Sequence, residues 1–381
     1  MIVVRRARLE DWPAISSFIQ DMYGAQAPFK GEARWRWQFV DNPFRPQDET
    51  APTVWIAQTD QGEVAGQIAV QDGALLIEGE RFPAGWIVDV MIRPEFRGRK
   101  LGHRIHEAVM QDRSCLVTLT MAPATRRIAE AANCLTLGPT WQMIRPVRLA
   151  PTAFAAWIAE RASARPGPLG LLRSPLGSTL AGVGLSAALA PFLAVQATGW
   201  GKSMADGEVL EASPEEALSA VEALDGAAYG GSVARFDKGR AFYTWRFGPG
   251  APDLAYKALV LTRAGVVRGY TVIREPHRQE HPIGVIVELV TRDGDQEAAG
   301  QLVDAAVARL SERAACVEMA TADPAVRALA GRRGFFVQKT MYPTVVVPDG
   351  PLRDAIARKS DAFRFSKADH DWDQVRPREL V

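Results

Sequence analysis

The pattern of hydrophobic and polar positions predicts an α/β fold for roughly the first 150 residues. Stretches typical of β-strands, such as 2–7, alternate with stretches such as 11–23, whose apolar residues recur at helical spacing. The run 84–92 is almost wholly apolar, as in a central strand covered on both faces, and Asp89 is its one charged residue. A basic, glycine-containing turn, a helix and another apolar run follow. We therefore predict a mixed sheet flanked by helices.

The same order of elements recurs between residues 206 and 347, which indicates a duplicated domain. Six landmarks of the first half have counterparts in the second half at similar spacings. The pairs are Trp37 with Trp245, Gly66 with Gly269, Asp89 with Glu288, Arg93 with Arg292, Cys115 with Cys316 and Gly138 with Gly334. Chance similarity is the alternative, and we favour duplication because the order is kept throughout. A chain of 381 residues also exceeds what one hydrophobic core usually organises.

Four segments follow from this repeat. They are a first α/β domain (1–150), an apolar linker (151–205), a second domain (206–348) and a C-terminal helix with a polar tail (349–381). Within the linker, the segment from Ser174 to Gly201 has 28 residues without a charge, which is long enough to cross a bilayer. Its prolines and glycines favour a buried pair of helices between the domains, with contact to a membrane surface as the alternative.

The overall charge is nearly balanced, with 45 Lys and Arg against 44 Asp and Glu. This leaves no general excess of positive charge to attract nucleic acid. The three cysteines, Cys115, Cys134 and Cys316, are odd in number and far apart, so neither a disulfide framework nor a metal site is predicted. The N-terminal residues are typical of a strand rather than of a signal peptide. We expect a cytoplasmic protein, peripheral at a membrane if the uncharged segment contacts lipid.

The stretch 90–102 is the most informative of the sequence. Here a strand runs into a glycine turn that opens a helix, so backbone N–H groups and the helix dipole favour a bound phosphate. Basic side chains gather at this turn. They are Arg93, Arg97, Arg99, Lys100, His103 and Arg104. A P-loop or a dinucleotide motif would need glycine and lysine spacings that are absent from the sequence. An arginine-rich turn that only solvates a helix start is the alternative.

This stretch resembles the acetyl-CoA-binding motif of the GCN5-related N-acetyltransferases (GNAT), which reads Arg or Gln, two residues, Gly, one residue, and Gly or Ala. Arg97 and Gly102 match the motif, whereas Lys100 stands where the family usually has glycine. The order of elements from Ile2 to Val147 is similar as well. The resemblance implies that backbone groups of Val90, Met91 and Ile92 pair with the pantetheine arm. It also implies that the pyrophosphate is held by backbone groups of Arg97, Gly98, Arg99, Lys100, Leu101 and Gly102.

The resemblance also implies direct attack of an amine on the thioester, which requires a base. Asp89 is the strand carboxylate placed for this role. The alternative is that Asp89 has a structural role and pairs with an arginine. In many members of the family a tyrosine protonates the departing CoA thiolate, and the position of this tyrosine falls on Cys134. Cys134 or a water would therefore supply the proton. Trp35 and Trp37 lie where the family builds its acceptor site, and they line a substrate pocket or pack in the core.

The histidines offer little chemistry in the sequence. His103 and His106 are predicted to be a solvated pair on their helix. His370 falls in the polar tail, together with Asp369, Asp371 and Asp373.

In the second half, the stretch from Arg292 to Gly300 has three acidic residues that would repel a pyrophosphate. The sequence thus predicts a tandem GNAT-like protein with a degenerate second domain. Its function would be transfer of an acetyl group from acetyl-CoA, as co-substrate, to a primary amine or amino sugar. The alternatives are a non-catalytic CoA-binding or scaffold protein, and a membrane-surface acetyltransferase of cell-envelope amino sugars.

Overall fold

The structure is a computed structural model that divides into two compact units. It describes residues 2–24, 27, 30–46, 49–152, 155, 159, 174–197, 207–224, 227, 233–252, 255–276 and 283–370. Unit 1 combines 1–140, 231–254 and 341–381, and unit 2 combines 141–230 and 255–340.

Strands and helices are interspersed along the chain. The strands are β1 (Ile2–Arg6), β2 (Val54–Thr59), β3 (Val64–Ile77), β4 (Glu80–Ile92), β5 (Leu116–Thr118), β6 (Leu135–Thr136), β7 (Thr140–Pro146), β8 (Glu208–Ala212), β9 (Ala234–Phe236), β10 (Tyr256–Arg263), β11 (Val266–Arg274), β12 (Ile283–Thr291), β13 (Cys316–Thr321), β14 (Phe336–Met341), β15 (Thr344–Val346) and β16 (Phe363–Arg364). The helices are α1 (Trp12–Tyr23), α2 (Glu32–Phe39), α3 (Leu101–Asp112), α4 (Pro123–Ala131), α5 (Pro175–Ala197), α6 (Leu218–Leu224), α7 (Arg240–Phe247), α8 (Gln296–Ser311), α9 (Pro324–Arg332) and α10 (Pro351–Arg358).

The sheet of unit 1 has the order β1-β2-β3-β4-β5-β15-β6, with β9 beside β3 and β16 beside β9. Strands β1 to β4 are antiparallel, whereas β4 and β5 run parallel. Helix α3 packs on β1, β2 and β3 and buries Leu101, Ile105 and Val109 against Trp55 and Ile68. This packing fixes where α3 begins relative to the end of β4.

The sheet of unit 2 has the order β14-β7-β13-β12-β11-β10-β8. Helix α8 packs on β10, β11 and β12, with Leu302, Val303 and Leu310 in the core. The mixed α/β sheets flanked by helices confirm the predicted fold class.

Each sheet contains at least one strand from the other half of the sequence. Strand β7, from the first half, lies between β14 and β13 in unit 2, and β15, from the second half, lies between β5 and β6 in unit 1. The units therefore do not coincide with the predicted ranges 1–150 and 206–348. The periodicity of a strand gives its faces but not its neighbours, and this exchange lies beyond the pattern.

The internal repeat is visible in matched backbone contacts. A Cβ on Gly66 would lie 3.0 Å from the Met91 carbonyl oxygen and 3.4 Å from Cδ1 of Ile105. A Cβ on Gly269 would lie 2.6 Å from the carbonyl oxygen of Val290 and 2.9 Å from Cδ1 of Leu302. In each unit, a glycine thus lets a strand approach both its neighbour and the helix that crosses it.

Residues 175–197 of the linker form the single helix α5 rather than the predicted pair of helices. Leu185 and Leu189 pack against Ile144 and Cys316, while the opposite side leaves Leu176 and other apolar residues exposed. No helix within the described residues has the length and apolar content to cross a bilayer. The predicted uncharged segment extends to residue 201, and its last four residues lie outside the described part of the chain.

Candidate functional site

The central strands of unit 1 separate near Asp89. Strand β4 pairs with β5 at Gly85–Leu116 and Trp86–Val117, and the pairing ends there. Opposite β3, the register shifts between Gln67 and Ala69, and Asp89 has a φ of 52°. The extra residue is a β-bulge, which bends a strand and interrupts its ladder. The bulge at Asp89, the one charged residue of this strand, therefore lies just beyond the point where the pairing of β4 with β5 ends.

A cavity of about 270 Å³ opens at this separation. Its walls come from β4, from the end of β5 and the loop that follows, and from the C-terminal segment. The lining residues are Trp86, Ile87, Val88, Asp89, Val90, Thr118, Leu119, Thr120, Met121, Ala122, Thr125 and His370. Asp89 and Val90 are the predicted site residues among them.

Asp89 forms a buried ion pair. Its carboxylate contacts the ammonium of Lys30, and the two side chains are 6% and 7% exposed. The hydroxyl of Tyr23 donates to Asp89 Oδ1 at 3.2 Å, and Lys30 Nζ lies 5.7 Å from the centre of the Tyr23 ring. If Asp89 has a structural role, the sequence predicts an arginine as its partner, whereas the structure shows a lysine. A buried pair of this kind is costly to break, because the remaining charge loses its compensation.

The predicted anion-binding turn follows directly after β4. A short 3-10 helix (Pro94–Phe96) leads to Gly98, with φ 78°, and Lys100, with φ 55°, before α3 begins at Leu101. The N–H groups in the first turn of α3 have no acceptor within the helix. Left-handed residues interleaved with ordinary ones turn successive N–H groups toward one concavity. Lys100 is in the left-handed backbone conformation, which glycine adopts more often than other residues.

Gly102 brings the start of α3 against the end of β4. A Cβ on Gly102 would lie 3.1 Å from Cδ1 of Ile92. This close approach keeps the turn next to the strand residues that line the cavity.

The basic residues at the turn divide into two groups. Arg97, Arg99 and Lys100 are exposed, and the Arg97 guanidinium donates to the Ile92 carbonyl oxygen at 3.2 Å. Arg93 instead forms ion pairs with Asp21 at 2.7 Å and with Glu63. Arg93 thus connects elements of the fold, and the exposed cations are the ones available to an anion.

The predicted pair of solvated histidines is wrong for one member. His103 is exposed beside Glu107, but His106 is buried, with Nδ1 2.7 Å from the Gly102 carbonyl oxygen. Burial lowers the pKa of the His106 imidazole. The sequence pattern missed this because His106 lies at the border of the apolar face of α3.

The two tryptophans predicted near the acceptor lie in the core of unit 1. The ring of Trp35 is 5.1 Å from that of Trp12. Trp37 stacks on Trp245 at 4.7 Å, and each indole N–H donates to the other's backbone oxygen at 3.0 Å. Neither Trp35 nor Trp37 lines the cavity. The core-packing alternative describes both.

Cys134 lies just after α4 and is not one of the lining residues of the cavity. Burial and the nearby Glu130 raise the pKa of its thiol. The thiol would therefore stay protonated near neutral pH, which disfavours a nucleophilic role.

His370 is a titratable lining residue that sequence reasoning missed. Residues 363–370 are packed rather than part of a free polar tail, because β16 pairs with β9 and the rings of Phe365 and His370 lie 5.3 and 5.1 Å from that of Trp86. The sequence carried a signal here, since Phe363 and Phe365 alternate with polar residues as in a strand. Asp371 and Asp373 lie outside the described residues.

Unit 2 fills the corresponding helix start with its own carboxylate. Asp295 caps α8, and its Oδ1 accepts from the N–H groups of Glu297 and Ala298 at 3.0 Å each. Arg268 pairs with the other oxygen at 2.5 Å. Burial opposes ionisation, but these hydrogen bonds and Arg268 together lower the pKa of Asp295. An internal anion thus uses the donors that a pyrophosphate would need.

The comparisons with known proteins agree with this geometry. Residues 3–117 match a family model described as an acetyltransferase (GNAT) domain. No curated protein matches the sequence significantly.

Solved structures share the fold across most of the chain. A GCN5-related N-acetyltransferase from Anabaena variabilis ATCC 29413 has a TM-score of 0.56 at 13% identity, covering 91% of this chain and 72% of that one. A tandem GNAT protein from the clavulanic acid biosynthesis pathway has a TM-score of 0.50 at 14% identity, covering 92% and 100%. The N-myristoyltransferase of Saccharomyces cerevisiae, with bound myristoyl-CoA, has a TM-score of 0.50 at 10% identity, covering 82% and 72%. Residues 3–117 therefore match the acetyltransferase (GNAT) domain family, and most of the chain shares the fold of a tandem GNAT protein.

Proposed function

We propose that this chain is an N-acetyltransferase that moves an acetyl group from acetyl-CoA to a primary amine, with catalysis in unit 1. The observation that supports this most directly is the divergence of β4 from β5 just before the turn 97–102 that opens α3. The two features together offer an unpaired strand edge beside an anion site. Acyl-CoA requires both features, because its thioester is carried on a long amide-containing arm that is joined to a diphosphate.

The pantetheine arm would pair with the free edge of β4. On one edge of the strand, Met91 and Ile92 pair with Gln67 and Gly66 of β3. On the other edge, β5 has already diverged, so backbone groups of Val90 to Ile92 can pair with the amides of an extended ligand. The diphosphate would then meet the N–H groups of the turn and the exposed Arg97, Arg99 and Lys100.

The reaction would be direct attack by the neutral amine on the thioester carbonyl. Asp89 would fix the bulge through Lys30 and Tyr23 rather than take the proton, since as a base it would give up a buried ion pair. A thiolate is a good leaving group, so its protonation does not require Cys134. Unit 2 would bind no acyl-CoA, because Asp295 already occupies its helix start.

Calorimetric titration with CoA tests the binding step. We expect Arg97→Ala to weaken CoA binding roughly tenfold, as the loss of one charge-assisted contact does. Gly102→Asp should abolish binding, because it adds a negative charge at the helix start and a Cβ that would lie 3.1 Å from Ile92. Arg358→Ala is the matched control, since this exposed arginine pairs with Glu78 outside the turn and the cavity. Unchanged affinity in both turn variants would contradict the proposal.

Thiol release tests the chemical step. The protein is incubated with acetyl-CoA and a panel of primary amines that includes aliphatic amines and glucosamine, and free CoA thiol is measured. We expect amine-dependent release together with acetylated product. CoA binding without release for any amine would favour the scaffold alternative.

We also propose that α5 contacts a membrane surface. Leu176 and Leu180 are 71% and 64% exposed, and Val183 is exposed on the same side of the helix. The helix has no charged residue. An uncharged helix with an exposed apolar side is suited to the boundary between lipid headgroups and acyl chains.

A further inference from the structure

The cavity has a second titratable side chain besides Asp89, and it comes from the far end of the chain. We propose that the imidazole of His370 is the base that accepts the proton from the attacking amine nitrogen. This inference rests on the proposed acetyltransferase activity, and it names the residue that performs the proton transfer. His370 lines the same cavity as the bulged strand, with its ring 5.1 Å from the ring of Trp86.

The backbone around His370 is held by a fully buried arginine. Arg246 has no exposed surface, and its Nη2 donates to the carbonyl oxygen of His370 at 3.1 Å while Nε donates to that of Ala368 at 3.3 Å. The guanidinium also lies 5.6 Å from the centre of the Trp37 ring, which stacks on Trp245. The tryptophan pair therefore supports the cation that positions the cavity histidine.

A second buried ion pair holds the residue before it. Lys238 Nζ lies 2.8 Å from Asp369 Oδ2 and donates to Ser366 Oγ at 2.9 Å. The N–H of Ser366 also donates to Asp369 Oδ2, at 2.7 Å. Burying such charges is costly unless each is bonded, and a solvated tail would not require it. The residues that precede His370 are thus held in place up to the position from which the imidazole enters the cavity.

Aromatic packing fixes the neighbouring wall. Phe365 packs edge-on against Trp86, and Phe236 stacks on the same indole at 5.0 Å. Side chains held by packing and by a bonded backbone give the fixed geometry that proton transfer requires.

The chemistry of the cavity favours His370 over Asp89. Proton transfer to Asp89 would disrupt its contacts with Lys30 and Tyr23, and an imidazole nitrogen can accept a proton and release it again. As the amine nitrogen bonds to the carbonyl carbon, its proton would move to the imidazole of His370. The carbon–sulfur bond then breaks with its electron pair on sulfur. The proton on the imidazolium passes to this thiolate, so that the amide and free CoA leave and the histidine is neutral again.

The test compares His370→Ala, His370→Gln and Asp89→Asn in full-length protein. The acceptor is the amine of the panel with the highest wild-type turnover. We expect both histidine variants to lose 10²-fold to 10⁴-fold in kcat, the usual range for a general base, with CoA affinity by calorimetry within about twofold of wild type. Free imidazole should restore part of the kcat of His370→Ala, where removal of the ring leaves space, and should not change that of the wild type or of Asp89→Asn.

Each outcome separates the inference from the proposed function. Absence of wild-type turnover with every amine overturns the proposed function, and the inference with it. Wild-type kcat in His370→Ala overturns the inference alone. A loss of kcat that imidazole does not restore, accompanied by weaker CoA binding or a lower unfolding temperature, would assign His370 a structural role and also overturn it.

Discussion

At the scale of single residues, the carboxylate of Asp295 explains why the second half of the duplicated sequence would no longer bind a pyrophosphate. Asp295 bonds to two N–H groups at the start of α8 and to Arg268, whereas the turn before α3 has exposed cations. The acidic composition of the stretch was visible in the sequence. The capping contact was not, because which aspartate reaches the N–H groups depends on the local backbone.

Asp295→Ala should lower the free energy of unfolding by about 1 kcal/mol at pH 7, as the loss of a helix cap does. The folded protein lowers the pKa of Asp295, so its contribution is present above the ordinary carboxylate pKa of about 4 and is lost as the pH falls below that value. The difference between wild type and Asp295→Ala should therefore shrink between pH 7 and pH 3 in urea unfolding. Asp295→Asn still caps a helix and is the matched control. A difference that grows on acidification would contradict this.

At the scale of elements, the sequence predicted most strands and helices of the first half but misjudged their surroundings. The apolar run 84–92 gave the central strand, and the turn 97–102 gave the start of α3. The pattern could not reveal that Trp37 stacks on Trp245, because the two residues are 208 positions apart. Nor could it show His370 in the cavity, since a short polar segment acquires its position from buried partners such as Arg246 rather than from its own periodicity.

Helix α5 gives a prediction at the same scale. Leu180→Ser should reduce co-sedimentation with anionic lipid vesicles roughly tenfold, because the loss of one inserted leucine removes at least about 1.4 kcal/mol of apolar burial. Leu176→Ser should act in the same way, since it is the more exposed of the two. Leu210→Ser is the control, because Leu210 is also exposed but lies on strand β8. Equal loss in all three variants, or no vesicle binding by the wild type, would contradict a lipid-contacting helix.

At the scale of the whole molecule, the exchange of strands makes each unit depend on both halves of the sequence. Strand β15 lies between β5 and β6, and Val345 within it is completely buried. The N–H of Leu137 donates to the carbonyl oxygen of Pro343 at 2.8 Å. Unit 1 also obtains the ring of Phe365, beside Trp86, from the C-terminal segment. The predicted boundary at residue 150 would remove all of these groups from the domain that has the GNAT match.

A fragment of residues 1–150 should therefore fail to fold cooperatively. It would expose the edges of β5 and β6 and the face of Trp86, and such unpaired edges favour aggregation. We expect a broad urea transition by circular dichroism and no heat on titration with CoA. As the control, the chain cut after residue 165 and expressed as two pieces should reassemble, because every exchanged strand is then supplied. Cooperative unfolding of the 1–150 fragment with full CoA affinity would show that β15 and the C-terminal segment are dispensable, and the dependence argued here would then be wrong.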